Sequence, residues 1–321
     1  MSAPGFASTN DLADKTVSFT RLGEGLYAYT AEGDPNTGVI IGDDGVMIVD
    51  AQATPAMAQD VIARVRSVTD KPIRYVLLSH YHAVRVLGAS AYLDAQGAII
   101  ASDVTRGLIV ERGAQDMASE IGRFPRLFRG KESIPGLTWP TLTFTGEFSV
   151  WLGKREVRIS QPGRGHTAGD TIAYVPDANV LFSGDLVEFK SACYCGDAHY
   201  GDWPGTIRTL MAYDPVALVP GRGNAVIGKP NVAAAFAGTT NFLTSLYSSV
   251  RASVERGETL MEAYLAVRRV MDGPFGHYAI YEHCLPFNVS RAYDEARGID
   301  HPVIWTAERD VAMWRALQDE R

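Results

Sequence analysis

The stretch that most restricts this chain is Leu77-Leu78-Ser79-His80-Tyr81-His82-Ala83-Val84-Arg85. An apolar run ends there in two histidines spaced i, i+2. Extended backbone points alternate side chains the same way, so both imidazoles face one side. That is a metal-ligand spacing at the end of a buried strand. Val84 and Arg85 follow, and neither can ligate a cation.

The flanking sequence predicts an α/β chain. Residues 16–50 read as a β-meander, with β-rich runs at Leu26–Thr30, Thr37–Ile41 and Gly45–Asp50, separated by turn residues. Thr54 is placed to cap a helix that starts at Pro55 and carries Met57, Val61 and Val65 on one face. A buried strand over Ile73–Leu78 leads to the histidines. A helix is expected from about Val86 to Gln96, then a short strand at Ala98–Ala101. Residues 103–138 read as a helical or irregular insertion whose arginines (Arg106, Arg112, Arg123, Arg126, Arg129) form a solvated face.

A β pattern returns from Thr141 to Phe182, and Val216–Val219 is expected to be the last core strand. From Lys229 the chain reads as helical. Thr259 and Glu262 have capping-box spacing, and Leu260, Tyr264, Val267 and Met271 share a packing stripe.

Composition sets limits on function. The 321 residues carry 30 Lys plus Arg against 37 Asp plus Glu, a net charge of -7. That argues against nucleic acid or an anionic membrane as the general partner. No signal peptide or membrane-spanning run is expected. The three cysteines, Cys193, Cys195 and Cys284, suit a reducing compartment and a cytoplasmic location. One CxC pair alone is a weak zinc signal.

Four segments share a design in which an apolar strand ends in polar or glycine-rich residues. They are Leu77–His82, Ile159–Thr167, Val180–Asp185 and Leu218–Gly223. A sheet fixes where such ends lie, so ligands from distant sequence can converge. With Asp50 closing an early strand, the order is an aspartate, His-x-His, Gly-His-Thr, Ser-Gly-Asp and Pro-Gly-x-Gly.

That order, over roughly residues 20–225, resembles the metallo-β-lactamase-fold hydrolase superfamily. The resemblance implies an αββα sandwich in residues 1–228 with its site along one edge of the two sheets. Residues 229–321 would be a helical extension that covers the cleft or joins subunits as a homo-oligomer. It also implies a first metal held by His80, His82 and His166, with Asp185 as a further ligand. The private ligands of a second metal would stand at Val84, Arg85 and Arg222, and all three have been replaced.

Two guanidiniums repel a divalent cation and carry the charge it would have brought. The expectation is therefore one zinc per chain in a mononuclear hydrolase. Asp185, Arg85 and Arg222 would act on a small anionic ester, thioester, lactone or amide. The arginines would bind the substrate anion or pair with Asp185. Arg164 would be a surface charge or would join them. A mononuclear iron oxidase or dioxygenase on sulfur compounds is the alternative. A non-catalytic binding protein, its site plugged by the arginines, is another.

Asp50 and Asp170 are expected to support ligands or loops. The Ser191–Tyr200 segment is expected to be a substrate loop. His199, His277, His283 and His301 are expected to be satisfied core or surface histidines, not ligands.

Overall fold

A computed structural model describes residues 6–93 and 97–317. Seven strands form the first sheet in sequential order: β1 (Val17–Gly23), β2 (Leu26–Ala31), β3 (Thr37–Ile41), β4 (Val46–Val49), β5 (Ile73–Leu77), β6 (Ala98–Ser102) and β7 (Leu142–Phe144). Six form the second: β8 (Glu147–Leu152), β9 (Arg155–Ser160), β10 (Ile172–Val175), β11 (Val180–Phe182), β12 (Ala217–Val219) and β13 (Val226–Ile227), in the order β13-β12-β11-β10-β9-β8. The core strand expected last, near Val219, is followed by β13, a two-residue edge strand paired antiparallel to it.

The helices are α1 (Pro55–Arg66), α2 (Ala83–Val86), α3 (Ser90–Leu93), α4 (Asp103–Arg123), α5 (Trp203–Met211), α6 (Lys229–Glu255), α7 (Leu260–Phe275), α8 (Tyr281–Ala296) and α9 (Ala307–Ala316).

Side-chain alternation sorts these strands into layers. Met47 and Val49 of β4 meet Val157, Ile159, Ala173 and Phe182 between the two sheets. Val46 and Ile48, one residue out of phase, face Ala58, Val61 and Val65 of α1. On the far side, Ile172, Leu181 and Leu218 pack against Trp203 and Ile207 of α5 and against α6, α7 and α8. The result is helices, sheet, sheet, helices. The apolar core runs without a break from β10–β12 into the helices after residue 228.

Local signals account for the helix ends. Thr54 caps α1 by accepting from Met57 N (3.1 Å). Thr259 and Glu262 form the capping box of α7, and Tyr264, Val267 and Met271 are buried. Two expectations need correction. The helix over Val86–Gln96 is instead a broken path of α2, a 3-10 turn at Leu87–Ala89, and α3; residues 94–96 lie outside the described residues. A Cβ at Gly88 would fall 2.0 Å from Ala51 O, so this path is pressed onto the strand-end loop that follows β4. The supposed solvated arginine face of α4 is wrong for Arg112 and Arg123, which are 2% and 1% exposed. Arg123 donates to Glu120 (2.8 Å) and stacks 4.4 Å from the Phe287 ring, clamping α4 to α8.

Candidate metal centre

The three histidines converge from two loops. His80 and His82 leave the end of β5, and His166 comes from the loop between β9 and β10. All three are buried. His166 Nε2 lies 2.9 Å from His82 Nδ1 and 3.2 Å from His80 Nε2. Asp185, after β11, places Oδ2 3.5 Å from His166 Nε2 and 3.8 Å from His80 Nε2.

Neighbouring groups decide which nitrogen of His80 and of His82 faces inward. Ser79 Oγ donates to Asp50 Oδ2 (2.9 Å), so it is left to accept from His80 Nδ1–H (2.9 Å). His80 Nε2 is then a bare lone pair. Asp197 Oδ2 accepts from His82 Nε2–H (3.1 Å), which leaves His82 Nδ1 bare. Asp197 is itself held by Arg112 Nη1 (3.0 Å). Asp170 accepts from Thr167 N and Oγ1, and so fixes the loop that carries His166.

The donor set fits a metal ion. Nitrogens around a tetrahedral zinc sit roughly 3.3 Å apart, given Zn–N bonds of about 2.0–2.1 Å. The ligand atoms of His80, His82 and His166 all lie within 4.8 Å of one another. Burial drives the His80 imidazole well below its usual pKa, helped by His166 and His82. Burial likewise pushes His166 down to about 3, although Asp185 opposes it. Both rings are therefore neutral, as ligands must be. Burial also acts downward on His82, but the Asp197 hydrogen bond and the Asp116 charge outweigh it and its pKa is raised.

The two arginines are placed differently. Arg85 is 0% exposed. Its Nη2 donates to Asp185 Oδ1 and to Gly221 O (2.9 Å), and its Nη1 donates to Asn36 O (2.9 Å) and lies 3.7 Å from Asp50 Oδ2. Burial pushes the Asp185 carboxyl up, but Arg85 and then His166 and Arg222 hold its pKa below the usual range. Arg222 lines a small cavity, about 10 Å³, with His82, Asp185, Glu120, Phe124 and Tyr194. Its Nη1 reaches Gly33 O (3.3 Å), and its buried Nε, like that of Arg85, has no partner among the described residues.

The glycines of the two motifs have a steric reason. A Cβ at Gly221 would fall 2.2 Å from Asp185 Oδ1. Gly184 has φ 53° and lies so close to Ser79 that a Cβ would come within 2.6 Å of its Cβ.

One expected residue lies elsewhere. Arg164 is at the surface, donating to Asp202 (2.6 Å) and Asp300 (2.8 Å), and does not join Arg85 and Arg222. The Ser191–Tyr200 segment is a packed wall: Asn288 of α8 holds Cys195 N (2.7 Å) and Cys193 O (2.8 Å), while the Tyr194 ring meets His82 at 5.5 Å. Cys193, Cys195 and Cys284 are free and buried. The sequence reading missed Asp197, Arg112 and Ser79 as supports of the histidines. Only Ser79, adjacent to His80, offered a local signal.

A family model described as the metallo-beta-lactamase superfamily matches residues 30–222. The chain belongs to that superfamily. A type 2 metallo-β-lactamase of Pseudomonas aeruginosa is 25% identical over 212 residues, covering 63% of this chain and 76% of that protein. The Bacillus cereus type 2 enzyme is 22% identical over 220 residues, covering 65% and 77%. Among solved structures, a metallo-β-lactamase from Pontibacter korlensis aligns with TM-score 0.57 and 18% identity, covering 71% of this chain and 99% of that one. A variant of the sec-alkyl sulfatase PisA1 aligns with TM-score 0.69 and 16% identity, covering 88% of this chain and 50% of the sulfatase. That greater coverage extends the shared fold of this superfamily member beyond the lactamase-sized core. No helix among the described residues is long and apolar enough to cross a membrane.

Proposed function

We propose that this chain is a hydrolase with a single metal ion, zinc, held by His80, His82 and His166 with Asp185 beside them. It acts on a small anionic substrate with an ester, thioester, lactone or amide bond. The observation that carries the single-ion reading is the seat of Arg85. Its guanidinium occupies the outer side of Asp185, where a second cation would have to share that carboxylate. Val84 and Arg222 offer no lone pair in its place.

A zinc ion bound here supplies Lewis acidity and lowers the pKa of an attached water. The chain's own groups do the rest. Asp185 is an ionised carboxylate with Oδ1 tied to Arg85, so Oδ2 is the oxygen that faces the histidines. It aligns a water there or accepts its proton. Arg222, which lines the cavity beside Asp185, holds the substrate anion or the charge that develops on a carbonyl oxygen. Arg85 has a carboxylate and two carbonyls already, and its role is to keep Asp185 charged and fixed. The sulfatase among the structural neighbours is named for an anionic ester, and that chemistry is compatible with Arg222. The buried free cysteines support a cytoplasmic location.

Elemental analysis of protein purified without chelator, beside His82→Ala, tests the reading. One zinc per chain, lost in the variant, is expected. Two metals would overturn the assignment of Arg85, iron would redirect the reading to oxygen chemistry, and no metal would leave a binding protein.

A further inference from the structure

A cavity of about 220 Å³ lies between α6 and the loop of residues 188–193 that follows Asp185. A water molecule takes roughly 30 Å³, so the space admits a small organic molecule. None of its wall residues borders the small cavity beside Asp185. Phe189, Phe242 and Tyr278 give it apolar surface, and Ala234, Ala235 and Gly238 line its side on α6.

Gly238 sits in the interior of a 27-residue helix, where glycine is less stable than alanine. A Cβ there would meet nothing within 4 Å. Close packing does not account for this glycine, and its effect is to leave the cavity wider.

Two polar groups of the wall stand two residues apart. Glu188 is 3% exposed. Thr239 of α6 pins its backbone, with Oγ1 accepting from Glu188 N (3.0 Å) and reaching Glu188 O (3.0 Å). Glu188 Oε2 accepts from Arg222 N, and Oε1 has no partner among the described residues. Burial and then the Asp185 charge push this carboxyl well above its usual pKa, against Arg222 and Arg85, so it holds its proton. With Oε2 receiving the Arg222 N–H, Oε1 carries that proton and has nothing to give it to. A buried donor without an acceptor is costly, and a ligand that supplies one relieves the cost.

Lys190 is exposed and held in left-handed backbone, φ 55°. It has no ion pair among the described residues, and its Nζ lies 5.5 Å from the Phe189 ring. The wall therefore offers an acid hydrogen and an ammonium, and a carboxylate accepts from both.

We infer that this cavity binds a small carboxylate with an apolar body. Its oxygens lie between the Glu188 carboxyl and the Lys190 ammonium, and its body lies along Phe242, Ala234 and Gly238. Hydrolysis of an ester, thioester, lactone or amide releases a carboxylate, so the ligand is of the product's class. That assignment rests on the proposed function, and the site itself does not. The second Glu188 oxygen holds Arg222 N, so occupancy is transmitted to the loop that carries Arg222. Ala234, Gly238 and Phe242 lie beyond the part of the chain matched by the family model.

The test titrates the full chain with hexanoate and with hexanamide, its neutral counterpart, before and after chelation. Binding is followed by the backbone amide resonances of arginine-labelled protein, the Arg222 signal being assigned by its loss in Arg222→Lys. Hexanoate is expected to shift that signal saturably, with or without metal, and to bind at least about tenfold more tightly than hexanamide. Gly238→Phe, which fills the cavity from α6, should abolish the shift with both ligands. Lys190→Met, a change at an exposed position, should bring hexanoate affinity down toward that of hexanamide.

Equal affinity for the two ligands in the wild type, a shift that survives in Gly238→Phe, a preference untouched by Lys190→Met, or a still Arg222 signal would overturn the site. The expected pattern in a chain that never holds metal would uphold the site and remove the hydrolase reading. One zinc per chain with no hexanoate binding would do the reverse.

Discussion

Arg85 donates through Nη2 to Asp185 Oδ1, while the other oxygen of the same carboxylate faces His80 and His166. One carboxylate therefore joins a fixed cation on one side to a metal-ligand set on the other. Both partners are almost fully buried, so neither charge is relaxed by water.

Removing one member of that pair leaves a buried charge without compensation. Arg85→Ala should lower the unfolding free energy by about 3–5 kcal/mol. Urea unfolding of the metal-free protein measures it. An unchanged midpoint would mean that Asp185 does not depend on Arg85 for its charge.

Restoring ligands should restore a second site. A variant with Val84→Asp, Arg85→His and Arg222→His is expected to bind two metal ions per chain where the wild type binds one. Elemental analysis with a chelator titration decides it. A variant that stays at one ion would show that these three positions are not what limits the count.

Asp197 orients His82 from a segment far away in sequence. Asp197→Asn can still receive the His82 hydrogen bond but no longer charges it, and it weakens the hold of Arg112. Metal affinity should fall by about 10–100-fold with the fold retained. Competition against a chromophoric chelator gives the ratio, and equal affinity would remove Asp197 from the site.

Arg222 and the metal should separate cleanly. Arg222→Ala is expected to keep its metal and lose at least about tenfold in kcat/KM on an anionic substrate, given the strength of charge-assisted hydrogen bonds. Unchanged KM and kcat would sink the anion-binding role.

The cap of α1 gives a stability prediction far from the chemistry. Thr54→Ala removes the acceptor of Met57 N and the donor to Arg129 O (2.9 Å). It should cost about 1–2 kcal/mol, read as a lower thermal midpoint with no change in metal content.

Much of this molecule was legible before any coordinates. Strand ends, the cap at Thr54 and the capping box at Thr259 are local, and each follows from residues within a few positions of one another. The ligand motif at His80 and His82 is also local, and the ordered Gly-His and Ser-Gly-Asp segments added His166 and Asp185. Sequence therefore determined the αββα plan and the ligand candidates, and it put at Val84, Arg85 and Arg222 side chains that cannot ligate a cation.

The tertiary structure decided what long-range packing decides. The broken path over residues 83–93 follows from the press of Gly88 against Ala51, a contact that helical periodicity cannot report. Arg112 and Arg123 read as solvated because charged residues on a helix usually are. They are buried because Asp197, 85 positions from Arg112, and Phe287 on α8 come to meet them. The different fates of the two arginines have the same origin. Both were visible as cations in the sequence, but only the fold gave Arg85 to Asp185, Asn36 and Gly221 and set Arg222 on the cavity wall with Nη1 against Gly33 O, because hydrogen-bond partners are chosen by where distant backbone segments lie in space.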